Sequence, residues 1–390
     1  MPRHLILRDN AAVLRSPDAA RVLAASLIGR LPSGSAPLAL LLFARETMTI
    51  AVAGLLVGAY TAGVAVGQPM LARAADRWRQ PPVMLAAVTT STVGFAVTAA
   101  STALPVTLAS AALAGLGAPP FEACLRALWR DIVGEQLLHT AYTLDVTVQE
   151  LIFVAGPLVT LTAVAGFGVR GGLVTTALLQ LAGTLWFAST PAVRRWRGEV
   201  APRHWAGPLR SGSMRLLMAT TALVGAGVGS IAVAVTGYAE QVGARSWSGW
   251  LLAAQAGGAL VGGLLYARFR PVGARRGLSG ITALLGLAYL PLLLTPAPPT
   301  MLFLMAIAGL ALPAFLTAVF VFVDSVAPPG TAAESFAWVA TAFLVGSASG
   351  AALNGVILDA NRIATAGFAL APASIALATG VTAALRPRNE

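Results

Sequence analysis

The chain has 390 residues, of which 57% are hydrophobic and only 11% charged, with a mean hydropathy of +0.78. Soluble domains carry charge on roughly a quarter of their residues, so this composition excludes a soluble globular protein and points to an integral membrane protein. The formal net charge of +11 does not imply a nucleic-acid partner, because that needs a basic face on a soluble fold, and here the basic residues punctuate apolar segments.

From the N-terminus, Arg3, Arg8, Arg15 and Arg21 precede a long apolar run. The run is longer than the apolar core of a signal peptide and further runs follow, so a retained first helix is expected. All 26 basic residues are arginine; with the alanine and glycine content this fits a GC-rich bacterial genome, and hence a bacterial plasma (inner) membrane. The only cysteine, Cys124, lies in an apolar segment. It allows no intramolecular disulfide or cysteine metal site and reads as a small buried hydrophobe.

A membrane-crossing helix needs about 20 apolar residues. Segments of that kind fall near 22–43, 49–72, 82–101, 104–128, 143–166 and 170–190, and again near 215–238, 247–267, 277–295, 300–323, 332–357 and 363–385. These are numbered spans 1 to 12. The fold class is therefore an all-α polytopic membrane protein of two six-helix bundles, residues 1–190 and 214–390, joined by a basic linker, 191–213. With the N-terminus inside, only Arg45, Arg170, Arg245 and Arg362 fall outside and Arg30 within the membrane. Basic residues gather on the cytoplasmic side of membrane proteins, so both termini are expected there.

A repeat supports the division. A shift of 195 residues lays Gly54, Leu56, Ala59, Gly63, Val66, Gly67, Ala72 and Arg73 of span 2 on Gly249, Leu251, Ala254, Gly258, Val261, Gly262, Ala267 and Arg268 of span 8. Related second helices in the same orientation imply a parallel duplication.

The polar loop after span 2 contains Arg73, Asp76, Arg77 and Arg79. With twelve spans in a six-plus-six order and a central basic loop, Asp76-Arg77 resembles the loop motif of the major facilitator superfamily of secondary transporters, although Ala72, Arg79, Gln80 and Pro81 depart from its pattern. Gly156-Pro157 in span 5 resembles the core of the antiporter motif of drug-efflux members, without its flanking glycines. The resemblance implies alternating access, with spans 1 and 4 lining a central cavity and spans 2, 8 and 11 where the halves meet. It also implies that Asp76 lies near the start of span 11 and latches the halves, with Arg77 and Arg130 as further partners; a solvated loop charge is the alternative.

Ionisable side chains inside a bilayer are costly unless paired or solvated, so each is a candidate for function. Counted at 1.5 Å per residue, Arg30 lies about 12 Å into span 1, and Glu122 and Glu150 about 9 Å into spans 4 and 5. An ion cluster of Arg30 with one or both glutamates is expected, either as a proton-coupling site or as a pair that fixes packing. Arg126, four residues after Glu122, can pair with it along one helix face, which leaves Glu150 the better proton site. The second half has no comparable deep charge. Tyr238, Gln255, Trp338 and Asn354 are its polar or aromatic candidates for the cavity, and a cavity with few polar anchors suits a lipophilic substrate.

Gly63 and Gly67, Gly258 and Gly262, and Gly346 and Gly350 have the spacing that lets helix backbones approach closely. Pro32, Pro157 and Pro313 are expected to interrupt or kink their spans. Thr331 and Glu334 have capping-box spacing, so span 11 should start there. His4, His139 and His204 are too scattered for a metal site, and no phosphate loop is present. The expected function is a monomeric secondary active transporter in the lipid bilayer, exporting a small lipophilic or cationic molecule. It needs no cofactor and draws on the proton gradient. An uptake symporter or facilitator, or a non-transporting receptor or scaffold, is the rival.

Overall fold

The computed structural model describes residues 4–46, 48–101, 103–199, 204–243, 246–267, 274–361 and 364–385. In hydrocarbon no water satisfies the backbone, so apolar runs fold as helices. The first half comprises α1 (His4–Arg15), α2 (Ala19–Arg45), α3 (Ile50–Arg77), α4 (Gln80–Ala100), α5 (Leu104–Leu116) and α6 (Phe121–Ser189). Gly134 and Gly168 divide α6 into three arms; their φ of 70° and 71° is a left-handed conformation that glycine adopts without a Cβ clash. The linker carries α7 (Pro191–Arg195) and a 3-10 turn, Gly207–Arg210. The second half comprises α8 (Gly212–Gln241), α9 (Trp247–Tyr266), α10 (Ala274–Tyr289), α11 (Pro298–Leu310), α12 (Leu312–Val326), α13 (Ala332–Asn361) and α14 (Ala364–Thr382).

Ten stretches are long and apolar enough to cross a membrane. One of them, Leu104–Ser189, has 86 residues and holds three crossings: α5 with the first arm of α6, then the second and third arms. The described residues thus make twelve crossings. Along the second arm Leu151, Val154, Leu158 and Leu161 are exposed, at the three- and four-residue spacing of one helix face. That face turns to lipid.

The duplication is visible in the packing. Span 4 is broken at 117–120, between α5 and α6, and span 10 at Ala311, between α11 and α12. A side chain on Gly63 or Gly67 of α3 would overlap the carbonyl oxygens of Ala112 and Leu116 in α5. Gly258 and Gly262 of α9 meet Ala306 and Leu310 of α11 in the same way. Gly346 and Gly350 of α13 lie against Ala222 and Ala226 of α8. These six glycines therefore close contacts inside each half, and the expectation that they lie where the halves meet is corrected: the small-residue row of each helix faces its own bundle.

Two further expectations change. Pro32 and Pro157 lie within continuous helix and so do not interrupt their spans; only Pro313 lies at a break. Spans 4 and 5 also run further toward the basic side than apolar content indicates, to the turn at Gly134, because their polar ends extend past the hydrocarbon. Arg3, Arg203, Arg245, Arg268, Arg362, Arg386 and Arg388 lie outside the described residues, so the pairing of Arg73 with Arg268 is known from sequence alone.

Candidate functional site

Between the halves lies a cavity of about 560 Å³. Its wall from the first half includes Arg30, Tyr60, Gln68, Glu122, Arg126, Gln149, Glu150 and Gln180. Its wall from the second half is apolar but for Thr221, Gln255, Thr341 and Ser347, and includes Leu252, Leu312, Leu316, Phe320 and Phe343. The break in span 4 contributes to the wall: Gln68 Nε2 donates to the Ala118 carbonyl at 2.9 Å, satisfying a carbonyl that the interrupted helix leaves without a partner.

At the base of the charged wall is a four-membered ion cluster. Arg30 Nη1 donates to Asp145 Oδ1 at 2.6 Å and Arg126 Nε to Asp145 Oδ2 at 3.0 Å. Glu122 bridges the same two guanidinium groups, at 3.2 Å to Arg30 and 3.1 Å to Arg126. Gln149 Oε1 accepts from both arginines. Arg30, Arg126 and Asp145 are buried; the Glu122 side chain keeps 26% exposure, into the cavity. Two cations and two anions cancel, which is the condition for burying charge in a low dielectric. Arg30 Nε and Gln180 Oε1, both buried and lining the cavity, have no hydrogen-bond partner among the described residues.

Asp145, the acid at the heart of this cluster, is absent from the sequence-based candidates. Begun at 143, span 5 puts Asp145 at the membrane surface; begun after Gly134, it puts the residue about 16 Å in, level with Arg30 in α2. The legible signal was the pair of i,i+4 spacings, Glu122 with Arg126 and Asp145 with Gln149. Glu150 lines the cavity but does not join the cluster, so of the two glutamates considered for Arg30 only Glu122 pairs with it. Being next to Gln149, Glu150 points about 100° away around the helix. Among the described residues it has no ion pair or hydrogen bond.

Of the second-half candidates only Gln255 lines the cavity, and it donates to the Tyr289 hydroxyl at 2.9 Å. Tyr238 donates to the Pro296 carbonyl and meets Phe368 edge to face. Trp338 donates to Glu334 at 3.4 Å, and Asn354 is buried and donates to the Ser230 carbonyl at 2.6 Å. These three are packing residues, set on the faces of α8 and α13 that turn away from the cavity. Gly156, ahead of Pro157, lies against Gly34 of α2, 2.7 Å from the position a Cβ would take. This contact brings the second arm of α6 close to α2 beside the cluster.

On the basic side the halves are joined. Asp76 Oδ1 accepts from Ala333 N at 3.0 Å and Oδ2 from Glu334 N at 2.8 Å, so the N-terminal donors of α13 are capped by a carboxylate from the other half. The capping box expected from Thr331 does not form. The Thr331 hydroxyl turns to the Pro328 carbonyl at 2.7 Å, and the Glu334 carboxylate faces Arg73 at 3.8 Å. Arg73 also donates to the carbonyls of Trp205 and His204 at 2.7 and 2.8 Å, tying the linker to the same spot. Arg130 pairs with Asp324 at 2.5 Å rather than with Asp76, and Arg77 lies over the Trp78 ring. Among the described residues no group of three or more His, Cys, Asp or Glu is placed to hold a metal ion.

Twelve crossings around one cavity, charged on one wall and closed on one side by contacts between two halves, define a membrane carrier. A profile of the Major Facilitator Superfamily matches residues 22–219, and the chain belongs to that family of secondary transporters. The fold is similar to that of the human organic anion transporter MFSD10 (TETRAN), with a TM-score of 0.75 at 16% identity over 98% of this chain and 100% of the other. It is also similar to a bacterial homologue of the iron transporter ferroportin, with a TM-score of 0.72 at 16% identity over 94% and 98% of the two chains. The Escherichia coli fucose:proton symporter FucP gives 0.68 at 12% identity, again over 94% and 98%. A search of curated protein sequences gave no match.

Proposed function

We propose that the protein is a proton-coupled exporter of small lipophilic or cationic molecules. Glu150 carries this reading: a carboxylate on the cavity wall with no cation paired to it among the described residues, in a site whose other charges already balance. A half-buried carboxylate without a cation partner inside a membrane is a place to hold a proton or a substrate cation. The apolar wall opposite, with Leu252, Leu312, Leu316 and Phe343, suits the body of a lipophilic ligand, and the Gly156–Gly34 contact beside the cluster supports the antiporter resemblance. The concentration of arginine on the side of Arg73, Arg79 and Arg194 supports a cytoplasmic placement of that side and of both termini, in a bacterial inner membrane. With Asp76 capping α13, the structure is then closed toward the cytoplasm, and Asp76 is the latch that must release for substrate to enter from there.

The test is uptake of a lipophilic fluorescent cation such as ethidium by proteoliposomes with and without an imposed pH gradient. Gradient-driven uptake is expected for the natural sequence, and Glu150→Gln is expected to fall to the level of empty liposomes. Undiminished gradient-driven uptake in both Glu150→Gln and Glu122→Gln removes the coupling role of either carboxylate.

A further inference from the structure

Arg126 belongs to two arrangements at once. Toward the cavity it is held by Asp145, Glu122 and Gln149. On its other face the guanidinium carbon lies 3.7 Å from the ring centroid of Phe320, in the opposite half. The shift that aligns the breaks of spans 4 and 10 is 194 residues, and it lays Arg126 on Phe320 and Arg130 on Asp324. Both pairs of mates touch, the second as an ion pair, so the pseudo-twofold axis passes between span 4 and span 10 one helical turn apart at two levels. Phe320 also packs on Tyr142 and Phe336 with centroids 6.2 and 6.0 Å away, and Tyr142 lies 5.8 Å from Phe336. This triangle of buried rings joins the halves just below the cavity, and Arg126 is its lid.

Resting on the reading of this cavity as the substrate path, we propose that Arg126 is a positioning residue that couples occupancy of Glu122 to the gate on the basic side, through its contact with Phe320. Glu122 is the cluster member open to the cavity, and the groups facing it are Arg30 on α2 and Arg126 and Asp145 on α6. A cation bound at Glu122 withdraws one of the two carboxylates that fix Arg126. The guanidinium then leaves the ring face, the aromatic triangle loses its lid, and the halves part on that side.

The experiment places spin labels on the exposed mates Asp131→Cys and Ser325→Cys, in a Cys124→Ala background, and measures their distance distribution in lipid nanodiscs without substrate or gradient. The natural gate is expected to give one short distance, and Phe320→Tyr, which keeps the ring face, the same. Phe320→Leu, similar in bulk but without the ring, and Glu122→Gln are each expected to add a longer distance. The closed-to-open ratio should fall about tenfold or more, the size of a desolvated cation–π contact. Only monodisperse protein is measured, so misfolding does not enter. The proposal is overturned if Phe320→Leu matches Phe320→Tyr, or if Glu122→Gln keeps the short distance alone. Because no transport is measured, failure here leaves the exporter reading standing, and failure of ethidium uptake leaves these distances to be judged on their own.

Discussion

In the first half Gly63 and Gly67 lie against the carbonyls of Ala112 and Leu116, and in the second Gly258 and Gly262 lie against those of Ala306 and Leu310. Spans 4 and 10 are broken at matching heights. What faces the cavity is different: Glu122 and Arg126 stand in the first half where the second has Leu316 and Phe320. Backbone packing has thus been kept where helices touch at van der Waals distance, since any side chain there meets a carbonyl oxygen. The cavity wall has diverged, because a side chain facing an open space can change without moving a helix. One half has come to hold the charges, and the other gives an apolar surface and the ring against which Arg126 rests.

If the charged half is held by its cluster, the largest effect should come from Asp145→Asn. It leaves two buried guanidinium groups with Glu122 as their only anion, and removing one partner of a buried pair costs about 3–5 kcal/mol. The apparent Tm in detergent should drop sharply, whereas Glu150→Gln, which breaks no pair, should leave Tm unchanged. Equal melting of Asp145→Asn and the natural protein would mean that the cluster does not stabilise this half.

The twelve spans and the duplication were legible because both are properties of a run of residues, read in one dimension. Arg30, Glu122 and Arg126 were legible because a charge inside an apolar run stands out. Asp145 was not, since its depth depends on where the arm begins, and the turn at Gly134 lies amid polar residues that hide the start of the helix. The direction in which a side chain points is a second quantity that depth does not give. Glu150, Tyr238, Trp338 and Asn354 were placed at credible depths, and only the first faces the cavity. The cap on α13 was half legible: Thr331 marks where the helix starts, but the carboxylate that caps it comes from 257 residues away in sequence.

That cap sharpens the comparison, because the loop of the first half supplies it while the corresponding loop after α9 has Pro271, outside the described residues. Asp76→Asn keeps an acceptor for one backbone donor and loses the charge at the helix N-terminus. A carboxylate in that position is worth about 0.3–2 kcal/mol. Membrane insertion should be normal and ethidium transport slowed, with the labelled pair at 131 and 325 showing a modest open population. Transport at the natural rate would show that Asp76 is no latch.

The smallest effect is expected where the halves differ in sign alone. Arg130 and Asp324 occupy mated positions across the axis, but the Arg130 side chain is 52% exposed and that of Asp324 20%, and exposed pairs contribute about 0.2–1 kcal/mol. Arg130→Asp or Asp324→Arg alone places like charges together and should open the gate slightly, the more so at low salt, where screening is weak. Joining Arg130→Asp to Asp324→Arg restores opposite charges in nearly the same geometry, because the axis exchanges the two positions. With Asp131 replaced by the label, the charged neighbour left is Glu135, which is close to Asp324 and would attract the new arginine. The reversed pair should therefore give the natural distance distribution at both low and high salt. A reversed pair as open as either single variant would show that the two positions are not interchangeable, and that the axis through spans 4 and 10 is broken at this level.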